Sequence, residues 1–272
     1  LLDCGDAIWA GNVFVKPGPE PAIRRMNEAG YHAMAAGNRE FFFRSFGMMM
    51  KTAEARFPVL CANLIPRGDL GHILRWAILD SPSGERVGVF GLMPLMVPPG
   101  SWEERFSDMR FISHRQATED ALGALRADCA FVICLSHAGI ETDIELAREF
   151  GQIDLILGGH SHLEGRELFV ENGVAISHVP PYGKAAGLII STGKPVGAGA
   201  KIAAIAPVDK LLTGEVKDQL VIVANTPTSS VVTKVAADNV AVPLTPTVDL
   251  DITPSTSSPV VADTGKVFVG TD

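Results

Sequence analysis

The chain has 272 residues, 47% of them hydrophobic, and a formal net charge of -8; that apolar content is enough for a sizeable buried core. Acidic and basic residues are mixed along it, which argues against a nucleic-acid surface. No apolar stretch reaches the roughly 18 residues of a membrane span.

Leu1-Leu2-Asp3 already reads as a strand, so the sequence reads as starting inside a domain. It runs into Cys4-Gly5-Asp6, which sets a carboxylate just past a strand end; taken alone, Asp6 equally suits a solvated turn. Pro21 in a first turn, Ile23, Met26 and Ala29 at helical spacing and Gly30 beyond predict a helix over 19–29. A short strand over 31–36 then ends at Gly37-Asn38-Arg39-Glu40, where Asn38 by itself would also serve as a helix N-cap. Phe41 to Phe43, Phe46 and Met48 to Met50 read as core or helix packing. Residues 57–62 predict another strand. Residues 72–80 and 86–92, separated by the turn-rich Ser81-Pro82-Ser83-Gly84-Glu85, predict a hairpin.

A proline-rich loop over 94–100 precedes a helix over 115–128 with an Ala117, Ala121, Leu122 and Leu125 stripe. The strand over 130–135 is apolar throughout, which predicts burial on both faces, and delivers Ser136-His137-Ala138-Gly139. A short amphipathic helix over 141–150 follows. Next comes the run Leu155-Ile156-Leu157, closed by Gly158-Gly159-His160-Ser161-His162. Open α/β sheets place ligand groups at the C-terminal ends of such strands, and neutral imidazole is the commonest metal ligand. His72 and His114 read as surface or helix-end residues, and His178, after a strand over 174–177, as a strand-end histidine with no ligand role. Cys4, Cys61, Cys129 and Cys134 show neither disulfide nor zinc spacing and read as free, buried thiols.

Polar groups thus fall repeatedly just past strand ends: Asp6, Asn38, His137, His160 and His162. One carboxylate, one amide oxygen and three imidazoles suit a divalent zinc, manganese, iron, cobalt or nickel ion. Read in order, the blocks Leu2-Asp3-Cys4-Gly5-Asp6, Ala33 to Phe41, Phe57 to Asn63, Leu135-Ser136-His137, Gly158 to His162 and Tyr182-Gly183-Lys184 resemble the calcineurin-like metallophosphoesterases. Within that superfamily they are most similar to the catalytic domain of bacterial 5'-nucleotidases, over about residues 1–210.

The resemblance implies an α/β fold, a four-layer α/β/β/α sandwich, over residues 1–213. It implies two divalent metal ions in the complete protein and a small phosphorylated substrate. Asp6 would bridge the ions, Asn38, His137 and His160 would complete one, and His162 would belong to the other. Two positions depart from the family pattern. Its opening Asp-x-His lies upstream of the first residue here, and its Gly-Asn-His-Glu block carries Arg39 in place of histidine, with Phe42 where that histidine's acidic partner stands. A guanidinium holds its proton near neutral pH and cannot act as a general acid, but it can neutralise charge on phosphoryl oxygens by paired hydrogen bonds. Arg39 is therefore the candidate catalytic residue. The altered block also admits a second reading, a non-catalytic metal- or anion-binding relative with a scaffold role. Residues 214–272, rich in Val, Thr, Ser and Pro, read as a flexible or loosely β extension.

Overall fold

The computed structural model describes residues 1–8, 18–41, 44–81, 84–163 and 168–182 and, beyond these, a series of strands between 186 and 269. The elements run β1 (Leu2–Asp3), α1 (Pro21–Glu28), β2 (Ala33–Ala35), α2 (Arg44–Thr52), β3 (Val59–Leu60), β4 (Leu64–Pro66), β5 (Ile73–Leu74), β6 (Trp76–Asp80) and β7 (Arg86–Leu92). They continue with β8 (Met109–Phe111), α3 (His114–Leu125), β9 (Phe131–Ser136), α4 (Ile140–Glu149), β10 (Leu155–Gly158), β11 (Leu168–Glu171), β12 (Val174–His178), β13 (Ala186–Val196) and β14 (Ala200–Val208).

Two sheets carry the domain. The first has the order β1-β2-β3-β5 and is parallel throughout. The second has the order β11-β12-β10-β9-β7-β6; its four inner strands are parallel, and β6 and β11 close the edges antiparallel.

Side chains alternate across each strand with a period of two, and this alternation builds the layers. On β2, Ala33 and Ala35 face the second sheet, where they meet Val89, Ile133, Leu135 and Leu155. Met34 between them faces α1 and α2, packing with Ile23, Met26 and Met48. On β9, Ile133 and Leu135 face the first sheet while Val132 and Cys134 pack under Ala117, Ala121, Leu125 and Leu146 of α3 and α4. The result is helices, sheet, sheet, helices: the α/β/β/α sandwich. Full burial of a side chain the size of Leu135 stabilises the fold by about 1.5–3 kcal/mol.

The helices follow from local sequence. Pro21 presets the first turn of α1, whose Ile23 and Met26 are buried. In α3, the Ser113 side chain accepts a hydrogen bond from the Gln116 backbone and caps the start. The expected end of that helix moves from 128 to Leu125, because the N–H groups of Asp128 and Cys129 both turn back onto the Leu125 carbonyl to lead into β9.

The expected strand over 72–80 is two strands. Ile73–Leu74 pairs with β3 in the first sheet and Trp76–Asp80 with β7 in the second. Arg75 makes the crossing: its Nε donates to the Ala62 carbonyl at 3.0 Å and its guanidinium meets Asp120 at 2.7 Å. The hairpin over 76–92 forms as expected. The β4–β8 pair has no counterpart in the sequence reading, and Phe46, expected in core or helix packing, is 71% exposed on α2. Phe42 lies outside the described residues. All four cysteines are free, three of them buried and Cys4 half-buried.

Beyond β12, β13 and β14 pair antiparallel. Of the expected extension over 214–272, only Leu220–Asn225, Ser230–Val235, Ala241–Val242, Val260–Val261 and Phe268–Val269 are described, as short antiparallel pairings. Among the described residues no helix is long and apolar enough to cross a membrane.

Candidate metal centre

Four strands from two sheets end at one place. β1 and β2 of the first sheet lead into Asp6 and Asn38; β9 and β10 of the second lead into His137 and His160. The site therefore lies where the C-terminal edges of both sheets meet, as expected for parallel α/β architecture.

His137 is almost wholly buried, and its Nδ1 lies 2.7 Å from the Cys4 carbonyl. A carbonyl can only accept, so Nδ1 carries the proton and Nε2 faces the site. There Nε2 stands 3.3 Å from Asp6 Oδ2 yet has no hydrogen-bond partner, a buried nitrogen left to something else. Burial opposes charge on this ring, but Asp6 outweighs it and raises the pKa. Burial likewise opposes charge on Asp6; His137 and Arg39 outweigh it and hold the carboxyl below its usual range.

Asn38 Oδ1 lies 3.1 Å from His160 Nδ1, and the His160 and His137 rings meet edge to face with centroids 5.1 Å apart. Burial, with His137 second, lowers the pKa of His160, toward the neutral form that binds metals. His162 follows on the next turn, exposed, with its Nδ1 3.1 Å from the Tyr182 hydroxyl. The structure thus brings Asp6, Asn38, His137 and His160 together and sets His162 beside Tyr182.

Arg39 touches the same carboxylate twice: its backbone N–H donates to Asp6 Oδ1 at 2.7 Å and its Nε stands 3.4 Å from Oδ2. Glu40, for which the sequence suggested no role, is fully buried and accepts from the backbone N–H groups of Gly37 (2.6 Å), Asp6 (2.9 Å) and Ile8 (3.2 Å). It ties the β1 and β2 loops together. Gly37 permits their close approach, since a Cβ there would lie 2.4 Å from Asp6 Oδ1. Asn63 ties the two sheets: its amide donates to the Met93 carbonyl at 2.8 Å and accepts from the Met93 N–H at 3.1 Å.

Backbone conformation marks the same place. Among the described residues, six other than glycine have positive φ, and Asp6, His160, His162 and Tyr182 are four of them. Such conformations cost energy for residues with a Cβ and persist where surrounding structure imposes them, often at functional sites.

Among the described residues no three His, Cys, Asp or Glu side chains close into a finished cation cage. Asn38 pairs with His160, and Asp6 accepts from the Arg39 N–H. Their chemistry nonetheless fits a divalent ion: a low-pKa carboxylate, an amide oxygen, a neutral imidazole and a buried imidazole nitrogen without a partner. Lys184 lies outside the described residues.

No family model matches the chain. It is 34% identical over 195 residues to the 5'-nucleotidase of Mus musculus, an alignment covering 68% of this chain and 32% of the mouse protein. The Haemophilus influenzae NAD nucleotidase structure superposes with a TM-score of 0.61 at 26% identity, covering 76% of this chain and 45% of that one. A Bacillus subtilis calcineurin-like phosphoesterase shares the fold, with a TM-score of 0.55 at 20% identity, over 75% of this chain and 74% of that one. The chain spans less than a third of the mouse protein's length. With the sandwich, the convergence of strand ends and these likenesses together, the chain has the fold of the calcineurin-like phosphoesterases and is similar in sequence, over about two thirds of its length, to 5'-nucleotidases.

Proposed function

We propose that the junction of the two sheets is a divalent-cation site at which a phosphate ester is hydrolysed. The observation that carries this reading is the buried, unpartnered Nε2 of His137, aimed at the Asp6 carboxylate beside the Asn38 and His160 pair. Asp6, Asn38, His137 and His160 would hold one ion, and His162 would contribute to a second. A bound divalent ion polarises phosphoryl oxygens and lowers the pKa of a coordinated water toward neutrality.

The chain's own residues prepare that chemistry. The Cys4 carbonyl sets the His137 tautomer, and the Glu40 carboxylate holds Asp6 and Asn38 on a common platform. Arg39, about one-third exposed and already beside Asp6, supplies positive charge for the phosphoryl oxygens without moving a proton. The substrate class is a small phosphomonoester or related ester. The relatives carry enzyme names, so the non-catalytic reading has no comparison behind it. Residues 214–272 form an extension to this domain in the same proposal.

The test is phosphatase activity of the protein with its cation content measured alongside. Activity abolished by chelation, restored by Mn²⁺ or Zn²⁺, and lost in His160→Ala supports the reading. Activity that survives both chelation and His160→Ala excludes it.

A further inference from the structure

Beneath the candidate centre lies a second polar cluster. β9, β10 and β12 are adjacent and parallel, and their last residues, Ser136, Gly158 and His178, stand in register across the sheet. Asp143, from the first turn of α4, reaches over them. His178 Nε2 lies 2.7 Å from Asp143 Oδ2, and the Ser136 hydroxyl donates to Asp143 Oδ1. Ser136 Oγ also accepts from the Ala138 backbone N–H at 3.1 Å. Ser136 and Asp143 are wholly buried, and His178 is 4% exposed.

Three such residue types suggest a hydrolytic triad, but the connectivity rules one out. The histidine bonds the aspartate and not the serine, and the serine hydroxyl is buried with its donor and acceptor sides both engaged. What the cluster does touch is the backbone that carries the site. Ser136 directly precedes His137, and its carbonyl accepts from the N–H of Gly159, the residue before His160. The third link is Gly158: a Cβ there would lie 1.9 Å from His178 Nε2 and 2.5 Å from Asp143 Oδ2, so the His178–Asp143 bond passes through space only a glycine leaves. The same element placement brings α4 to the site, since the Ile140 N–H at its start donates to Ser161 Oγ, between His160 and His162.

We propose that Ser136, Asp143 and His178 are positioning residues: a buried brace that fixes the two strand ends bearing His137 and His160 relative to each other. This rests on the cation-site reading for its function, though the brace itself is a statement about where two rings stand. Buried polar groups whose partners are all supplied favour a single arrangement, and losing one partner leaves the others unsatisfied. Outer groups that orient metal ligands typically change cation affinity by roughly 10- to 100-fold when removed.

The experiment titrates Co²⁺ into the 272-residue chain, following its visible absorption, and records the ¹⁵N ring signals of His137 and His160 in the cation-free protein. In His178→Ala we expect Co²⁺ binding weakened about tenfold or more, a changed absorption band and displaced ring signals, in protein that still melts cooperatively. His178→Gln, which can still donate to Asp143, should restore all three toward the unaltered chain. A folded His178→Ala with unaltered cobalt affinity and unmoved ring signals overturns the brace. Should His178→Ala fail to fold, Ser136→Ala decides: shifted ring signals support the brace, and unmoved ones overturn it. If the unaltered chain binds no cobalt, the cation-site reading falls by itself, and the ring signals still decide the brace.

Discussion

Arg39 shares the Asp6 carboxylate with His137, so charge at this position is set by a residue that cannot donate its proton near neutral pH. Without a general acid here, esters with good leaving groups should be cleaved faster than alkyl phosphates. Equal rates on p-nitrophenyl phosphate and a simple alkyl phosphate would contradict this role. Arg39→Ala should lower kcat on the aryl ester by ~100-fold, the scale seen when one charge-stabilising donor is removed. Glu40 makes a different prediction. Burial, and after it the Asp6 charge, lifts its pKa from 4.5 to about 7 against three opposing backbone N–H bonds. The unfolded chain releases this proton near pH 4.5 and the folded chain near 7, so between those values the unfolded state holds fewer protons and stability falls as pH rises. Burial likewise lifts Asp3 from 3.8 to about 6, with the same sign over a lower window. Urea midpoints of the cation-free chain should therefore change more negatively with pH between 4.5 and 7 than those of Glu40→Gln, which lowers the midpoint overall; the same slope in both would refute the assignment.

At the scale of elements, the contact between the sheets is made by residues with no room to spare. Leu135 of β9 is fully buried there among Ala33, Ala35 and Leu60. Leu135→Ala should cost ~2–5 kcal/mol in chemical denaturation, whereas Ile78→Ala, at a partly exposed position of edge strand β6, should cost about 1 kcal/mol or less; equal losses would show that the inter-sheet layer is not the core described above. These inner strands were legible because burial on both faces writes an uninterrupted apolar run, as in Val132 to Leu135. The change of sheet at Arg75 was not legible, since a run from Ile73 to Leu79 looks the same whether it pairs with one neighbour or two. The β4–β8 pair was hidden for a related reason: Leu64–Pro66 is short and ends in proline, and its partner lies some 45 residues on.

At the scale of the whole molecule, the sandwich matters because it brings four loops that are distant in sequence to one edge. Asp6, Asn38, His137 and His160 were visible as strand-end polar residues, and the structure places them in contact. Glu40 and Asp143 were not, because a buried carboxylate and an exposed one are the same letter, and His178, read as a strand-end histidine, gave no sign of its partner; only the fold supplies the three N–H groups facing Glu40 and the imidazole facing Asp143. The candidate ligand roles belong to the molecule as assembled, so they are best tested in it directly. Crystals of the chain soaked in Mn²⁺ and measured for anomalous scattering should show a peak bounded by Asp6, Asn38, His137 and His160, and none there in His137→Ala. A chain that takes up manganese only elsewhere, or none at any concentration, would contradict the account.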